Sequence, residues 1–173
     1  MSLLTDEVRS LIGHAGTTEI ACDPVEQGAV RRYAQACMDS SARFVETSED
    51  PRFGGPVAPP LYPMNMFRRG ADTPDPFEEH GRDPHFDGIV GSTAQGLPPL
   101  PLPPGTTLLN AGTEVELYRY ARVGERITAI SRYADMTEKT TSKGAMLLVV
   151  IETEYRNAQG DLLLRVRKTQ MRR

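Results

Sequence analysis

Ala145-Met146-Leu147-Leu148-Val149-Val150-Ile151 is the longest apolar run in the chain. It is the length of a strand, far below the roughly 20 residues that cross a bilayer as a helix. Its apolarity is continuous rather than alternating. That predicts a strand over 145–155, buried on both faces at the centre of a sheet. The neighbouring segments fit around it. Leu108 to Ala121 alternates, with Val115 and Leu117 on one side and Glu114, Glu116 and Tyr118 on the other. Val123-Gly-Glu125 reads as a turn, and Arg126 to Met136 as a further strand. Lys139 to Gly144 reads as a loop. Asn157-Ala-Gln-Gly160 turns the chain into a last strand, Asp161 to Met171. Consecutive strands joined by short turns predict an antiparallel meander.

Upstream, Asp23-Pro24 reads as an N-cap followed by proline in the first helical turn. Val25, Ala29, Tyr33, Ala36 and Cys37 share one face, which predicts a helix over 24–38. A helix ahead of a meander is an α+β layout, with the sheet's apolar face packed on the helix. Leu3, Leu4, Val8, Leu11 and Ile12 form a shorter helical pattern that Gly13 and Gly16 stop, and Thr17 to Cys22 could be a short strand. Gly54-Gly-Pro-Val-Ala-Pro-Pro60 is a turn-rich approach to Leu61-Tyr-Pro-Met-Asn-Met-Phe67, where prolines can begin a helix. Residues 69–105 are too long for an ordinary connection and rich in Gly and Pro. They predict a covering loop or a partner-contacting arm; a motif for proline-binding domains is the sharper alternative.

Composition narrows the function. The chain has 173 residues, 39% hydrophobic and 25% charged, which suits one domain over 1–173 with one core. A net charge of −3 argues against a nucleic-acid partner. The basic cluster Arg165 to Arg173 reads as a solvated strand face and tail, or as a holder of phosphates. There is no Trp, so no indole stacking platform. The two cysteines, Cys22 and Cys37, read as reduced thiols. With no secretory pattern at its start and no membrane span, the chain is expected in the cytoplasm.

Motifs for phosphate loops, serine elbows and zinc helices are missing. Of the three histidines, His14 sits among glycines and reads as surface. His80 and His85 lie in Glu78-Glu-His-Gly-Arg-Asp-Pro-His-Phe-Asp87, whose donors could hold a metal but match no standard spacing. No metal is expected.

Three pieces in order carry a resemblance: Met38-Asp39-Ser-Ser-Ala-Arg-Phe44, then Gly54 to Pro60, then Leu109 to Arg126 with Asn157-Ala-Gln-Gly-Asp161. The chain resembles the N-terminal, fatty-acid-synthase-type domain of the MaoC-like dehydratases and (R)-specific enoyl-thioester hydratases. The resemblance implies a single hot-dog domain, an antiparallel sheet wrapped around a central helix, with Leu61 onward beginning that helix. It implies water addition to, or removal from, the double bond beside a thioester carbonyl, without a cofactor and with acyl-CoA or an acyl carrier protein conjugate as substrate. Such chemistry needs a general acid and base around one water, and donors for the thioester oxygen.

In active members of that family an Asp precedes a His by five positions, as in Asp-x-Asn-Pro-x-His, and a glycine N–H faces the thioester oxygen. Here Asp39 keeps the first position, Ser41-Ala42 replaces Asn-Pro, and Phe44 stands at the histidine. At the oxyanion element the chain runs Val57-Ala58-Pro59, and Pro59 has no N–H. Asp39 can equally be a helix-end or turn carboxylate, and Phe44 and Pro59 simple packing that also lines an acyl tunnel. The expectation is a substrate-binding, non-catalytic subunit. Leu61, Met64 and Phe67 shape its acyl pocket, and a catalytic MaoC-like partner completes the dimer. Two alternatives stand beside it. One is an active homodimer in which His85 or His80, with Asp83 or Asp87, replaces the missing pair. The other is a non-enzymatic acyl-thioester-binding or assembly protein.

Overall fold

A computed structural model describes residues 2–45, 50–67, 78, 80–84, 96–142 and 144–173. The chain order is α1 (Asp6–Ser10), β1 (Glu19–Ile20), α2 (Gln27–Ala36), two 3-10 turns (Ala42–Phe44 and Tyr62–Asn65), then β2 (Leu108–Leu117), β3 (Ile127–Thr141), β4 (Gly144–Asn157) and β5 (Leu162–Arg172). The strands form one five-stranded sheet in the order β1-β3-β4-β5-β2, and every pairing is antiparallel. The predicted meander is β3-β4-β5, with β2 folded back against β5 rather than beside β3.

The hairpin between β3 and β4 is tighter than the predicted loop over 139–144. Thr140 pairs with Ala145 and Thr141 with Gly144, because β-branched threonines sustain the ladder almost to the turn. Gly124 turns the chain between β2 and β3 at φ +88, a conformation that favours glycine. Its N–H donates to the Val25 carbonyl, and the Val25 N–H donates to the Glu125 carbonyl.

One face of the sheet is the core face. Ile127, Ala129 and Tyr133 of β3, Val149, Ile151 and Tyr155 of β4, and Leu164 and Val166 of β5 are buried there. Helix α2 lays Val30 and Ala34 on one end of this face, beside Ile127, Ala129, Leu164 and Val166. At the other end α1 contributes Val8, and Leu97 lies against Tyr133, Met136, Leu147 and Val149. Leu100 and Leu102 pack on the same group, so this part of the 69–105 segment covers the second core.

The opposite face is only partly covered. Met146, Leu148 and Val150 are only half-covered, so the central strand is not closed on both faces as its composition suggested. Here charge replaces apolar cover. Glu152, 8% exposed, accepts two N–H bonds from Arg132, and Arg165 and Arg167 stand within 3.9 Å.

The helix predicted over 24–38 is shorter and starts later. Asp23 does not cap it; Glu26 occupies the N-cap without a side-chain bond. Val25 is buried but non-helical, because its backbone pairs with the Gly124 turn. Ala36 and Cys37 face solvent instead of the core. The predicted strand over 17–22 is reduced to Glu19–Ile20.

Burial has a pH signature at Tyr155. It pushes the phenol up to about 12, and the Glu19 charge adds to the effect. An unfolded tyrosine ionises near 10, so the folded state holds the proton more tightly between those values. The stability this contributes is complete below about pH 10 and is lost as pH rises towards 12, about 3 kcal/mol in all. Denaturant midpoints of Tyr155→Phe are expected to fall less steeply over that window than those of the natural sequence.

Candidate functional site

The site begins where α2 stops. The Met38 N–H donates to the Gln35 carbonyl and the Asp39 N–H to the Ala34 carbonyl, the paired bonds that close a helix with a left-handed residue. That residue is Met38, at φ +56 and 91% exposed, where glycine is usual. Asp39 follows on the surface. Its Oδ1 accepts the Ser41 N–H at 2.9 Å, a local turn of the kind short polar side chains make.

The chain then enters the 3-10 turn Ala42–Phe44, and here the two family positions part. Asp39 is exposed while Phe44 is 4% exposed, inside the core cluster with Val30, Val57 and Tyr62. The Gln27 Nε2 donates to the Phe44 carbonyl at 3.1 Å, pinning this turn to the start of α2. Arg43, between them, is held by neutral groups. Its Nε donates to the Ser41 hydroxyl and its Nη1 to the Tyr120 hydroxyl.

The oxyanion element is occupied from within. The Val57 N–H donates to the Arg43 carbonyl at 3.1 Å, and the Ala58 N–H to the Ala121 carbonyl at 2.8 Å. Pro59 and Pro60 have none to give. From Val57 to Pro60, therefore, no backbone donor is left for a ligand oxygen. All of Val57, Ala58 and Pro59 are buried.

Leu61 does not begin a long helix in the described residues. Tyr62–Asn65 is a single 3-10 turn, with Pro63 in its first turn, and it ends at Met66. The threefold repeat of that turn changes which side chains face the open space. A cavity of about 400 Å³ lies between α2 and this turn. Ala29, Arg32 and Tyr33 of α2 line it, with Tyr62, Asn65 and Met66 opposite. Asp23 and Glu26 stand at its side. Leu61 is exposed, and Met64 and Phe67 pack on the core instead, Phe67 5.7 Å from the Tyr155 ring. Tyr33 and Tyr62 meet edge to face at 5.6 Å, and burial raises both phenols above the ordinary tyrosine range. The apolar pattern of 61–67 is visible in the sequence. The register that selects Tyr62, Asn65 and Met66 is not, because it depends on 3-10 rather than α geometry.

The other candidates lie apart. His14 is exposed, with its backbone tied to Leu11 and Tyr133. His80 is exposed, and its carbonyl accepts the Asp83 N–H at 2.9 Å. His85 and Asp87 lie outside the described residues. No cluster among the described residues could hold a metal, and none of their helices is long and apolar enough to cross a membrane. Cys22 and Cys37 are exposed and not disulfide-bonded. In the basic run on β5, Arg165 binds Glu154 at 2.9 Å and Arg172 donates to Gln170, while Arg167, Lys168 and Arg173 are exposed.

A five-stranded antiparallel sheet carrying a helix on one face is the hot-dog architecture of the MaoC-like dehydratases and (R)-hydratases. A family model described as the FAS1-like dehydratase domain region matches residues 10–166. The chain belongs to that family. No curated protein matches it in sequence. Among solved structures, the ChsH1-ChsH2 complex from Mycobacterium tuberculosis matches at TM-score 0.68 with 15% identity, over 96% of this chain and 88% of the other. The HadBC 3R-hydroxyacyl-ACP dehydratase complex, also from Mycobacterium tuberculosis, matches at 0.56 with 16% identity, over 90% and 95%. A MaoC-like dehydratase from Rhodospirillum rubrum matches at 0.54 with 17% identity, over 90% of both chains.

Proposed function

We propose that this chain is the substrate-binding, non-catalytic half of a heteromeric enoyl-thioester hydratase or 3-hydroxyacyl-thioester dehydratase, working in the cytoplasm. One observation carries the reading: the position matched to the family histidine is a phenylalanine packed in the core, 4% exposed, so it can neither reach a substrate water nor move a proton. The oxyanion element adds support, since the N–H groups of Val57 and Ala58 are bonded within the chain. That two of the structural matches are complexes named for two chains is consistent with a paired subunit.

In this reading the partner supplies the Asp–His pair and the backbone donor. This chain supplies walls. The cavity between α2 and the Tyr62–Asn65 turn receives part of the acyl group, and Asp39, exposed at the end of α2, borders the shared site. Adding water moves a proton and a hydroxyl group with no net oxidation or reduction, so the chemistry calls for no redox cofactor. The test is reconstitution. Mixing this chain with a small protein that carries an intact Asp-x-Asn-Pro-x-His element is expected to give a complex whose mass is that of both chains and whose hydration of an enoyl-CoA exceeds that of this chain alone. A mass equal to this chain's own dimer, with unchanged turnover, contradicts it.

A further inference from the structure

We infer that the turn around Phe53 is a subsite for a phosphorylated nucleotide, the adenosine 3',5'-bisphosphate end of coenzyme A, which makes CoA rather than a carrier protein the acyl carrier; this rests on the thioester reading above. Three arginines from separate parts of the chain meet there. The Arg43 guanidinium lies 5.9 Å from the Phe53 ring and 5.7 Å from the Tyr120 ring. The Arg52 guanidinium lies 5.3 Å from the Phe53 ring. The Arg122 guanidinium rests against Gly54, where a Cβ would sit 3.6 Å from its Nη2.

Only one carboxylate answers these three cations among the described residues. Asp50 binds Arg52 at 2.6 Å. Arg43 is bonded to the hydroxyls of Ser41 and Tyr120 and, among the described residues, to no carboxylate. Among the described residues no carboxylate pairs with the Arg122 side chain, although the Glu125 carboxylate accepts the Arg122 backbone N–H. Gathering like charges in one place is unfavourable unless an anion completes it. Guanidinium groups offer planar, forked donors suited to phosphate; Phe53 meets Arg43 and Arg52, and Tyr120 meets Arg43. Arg52 and Arg122 remain exposed, so a ligand can reach them. An exposed guanidinium also gives an adenine ring a flat surface to stack on. The position is apt, since Arg43 directly precedes Phe44 and its carbonyl holds the Val57 N–H. The patch therefore adjoins the matched acid and oxyanion segments.

The experiment titrates the full chain with adenosine 3',5'-bisphosphate by calorimetry, beside 4'-phosphopantetheine, which lacks the nucleotide, and a phosphopantetheinylated acidic carrier protein. The bisphosphate is expected to bind, with affinity falling as salt rises and at least tenfold lower in Arg52→Gln/Arg122→Gln. Both side chains are exposed, so the double variant is expected to fold. Arg9→Gln, an exposed charge on α1, should leave binding unchanged. Absence of bisphosphate binding overturns the inference, and so does binding that ignores the double substitution. Preference for the carrier protein through the same arginines overturns it too. The readout needs no turnover. Nucleotide binding without turnover on reconstitution counts against the hydratase reading alone; turnover on reconstitution without nucleotide binding counts against this subsite alone.

Discussion

Phe44→His restores the family's residue on paper but is expected to leave this chain without hydratase activity and less stable by about 3 kcal/mol. The side chain at 44 is in the core, among Val30, Val57 and Tyr62, so an imidazole there has no substrate to meet. Replacing a buried aromatic ring removes apolar contact, typically several kcal/mol for large truncations. It also buries polar nitrogens, which costs about 1–3 kcal/mol without a partner. The carbonyl of residue 44 itself already accepts the Gln27 amide. Adding Pro59→Gly should not change the outcome for activity. The new N–H would lie in a buried segment next to Ala58, whose own N–H is bound to Ala121. Denaturant unfolding reads the stability loss as a shifted midpoint with an unchanged slope. Turnover by the double variant alone would show that the fold is a catalytic site lacking two residues, rather than a half built for another role.

Ala29→Phe is the second change with a large expected effect. Ala29 faces the cavity of about 400 Å³ from the first turn of α2, across from Tyr62, Asn65 and Met66. A benzyl group there occupies space that this account assigns to the acyl chain. In the reconstituted complex, kcat/KM for a bulky enoyl thioester should fall about tenfold to a hundredfold, the scale on which pocket volume discriminates substrates. A four-carbon enoyl thioester should be processed as before. Equal loss for both substrates would place the acyl group elsewhere.

The strands were legible because a half-buried strand must alternate and because Gly124 and Gly160 mark turns with positive φ. The run at 145–151 announced the central strand, but its second face is half-open, since the charged side chains Arg132, Arg165 and Arg167 gather over Glu152 beside it. Helix α2 was legible in its middle and not at its start. Asp23-Pro24 carries a capping signature, yet tertiary pairing of Val25 with the Gly124 turn holds that stretch extended. The segment at 61–67 is apolar in sequence, but its geometry is not legible there: one proline-led 3-10 turn, with a threefold rather than 3.6-fold repeat, sets which side chains face the cavity. The gathering of Arg43, Arg52 and Arg122 had no signal in sequence, because it is made by the return of the chain after β2 and not by spacing. The position-by-position resemblance singles out Asp39, Phe44 and Pro59; the fold puts Asp39 outside and Phe44 inside.

The central claim is that every proton in the reaction is moved by the partner. The measurement that tests it most directly is single-turnover hydration by the reconstituted complex with one substitution at a time. Asp39→Asn, His80→Ala and His85→Ala in this chain should each leave the chemical step within a few-fold, whereas alanine at the partner's matched histidine should slow it by about 10²–10⁴, the usual scale of acid–base catalysis. A comparable loss on changing Asp39, His80 or His85, or hydration by this chain with no partner present, would contradict the account.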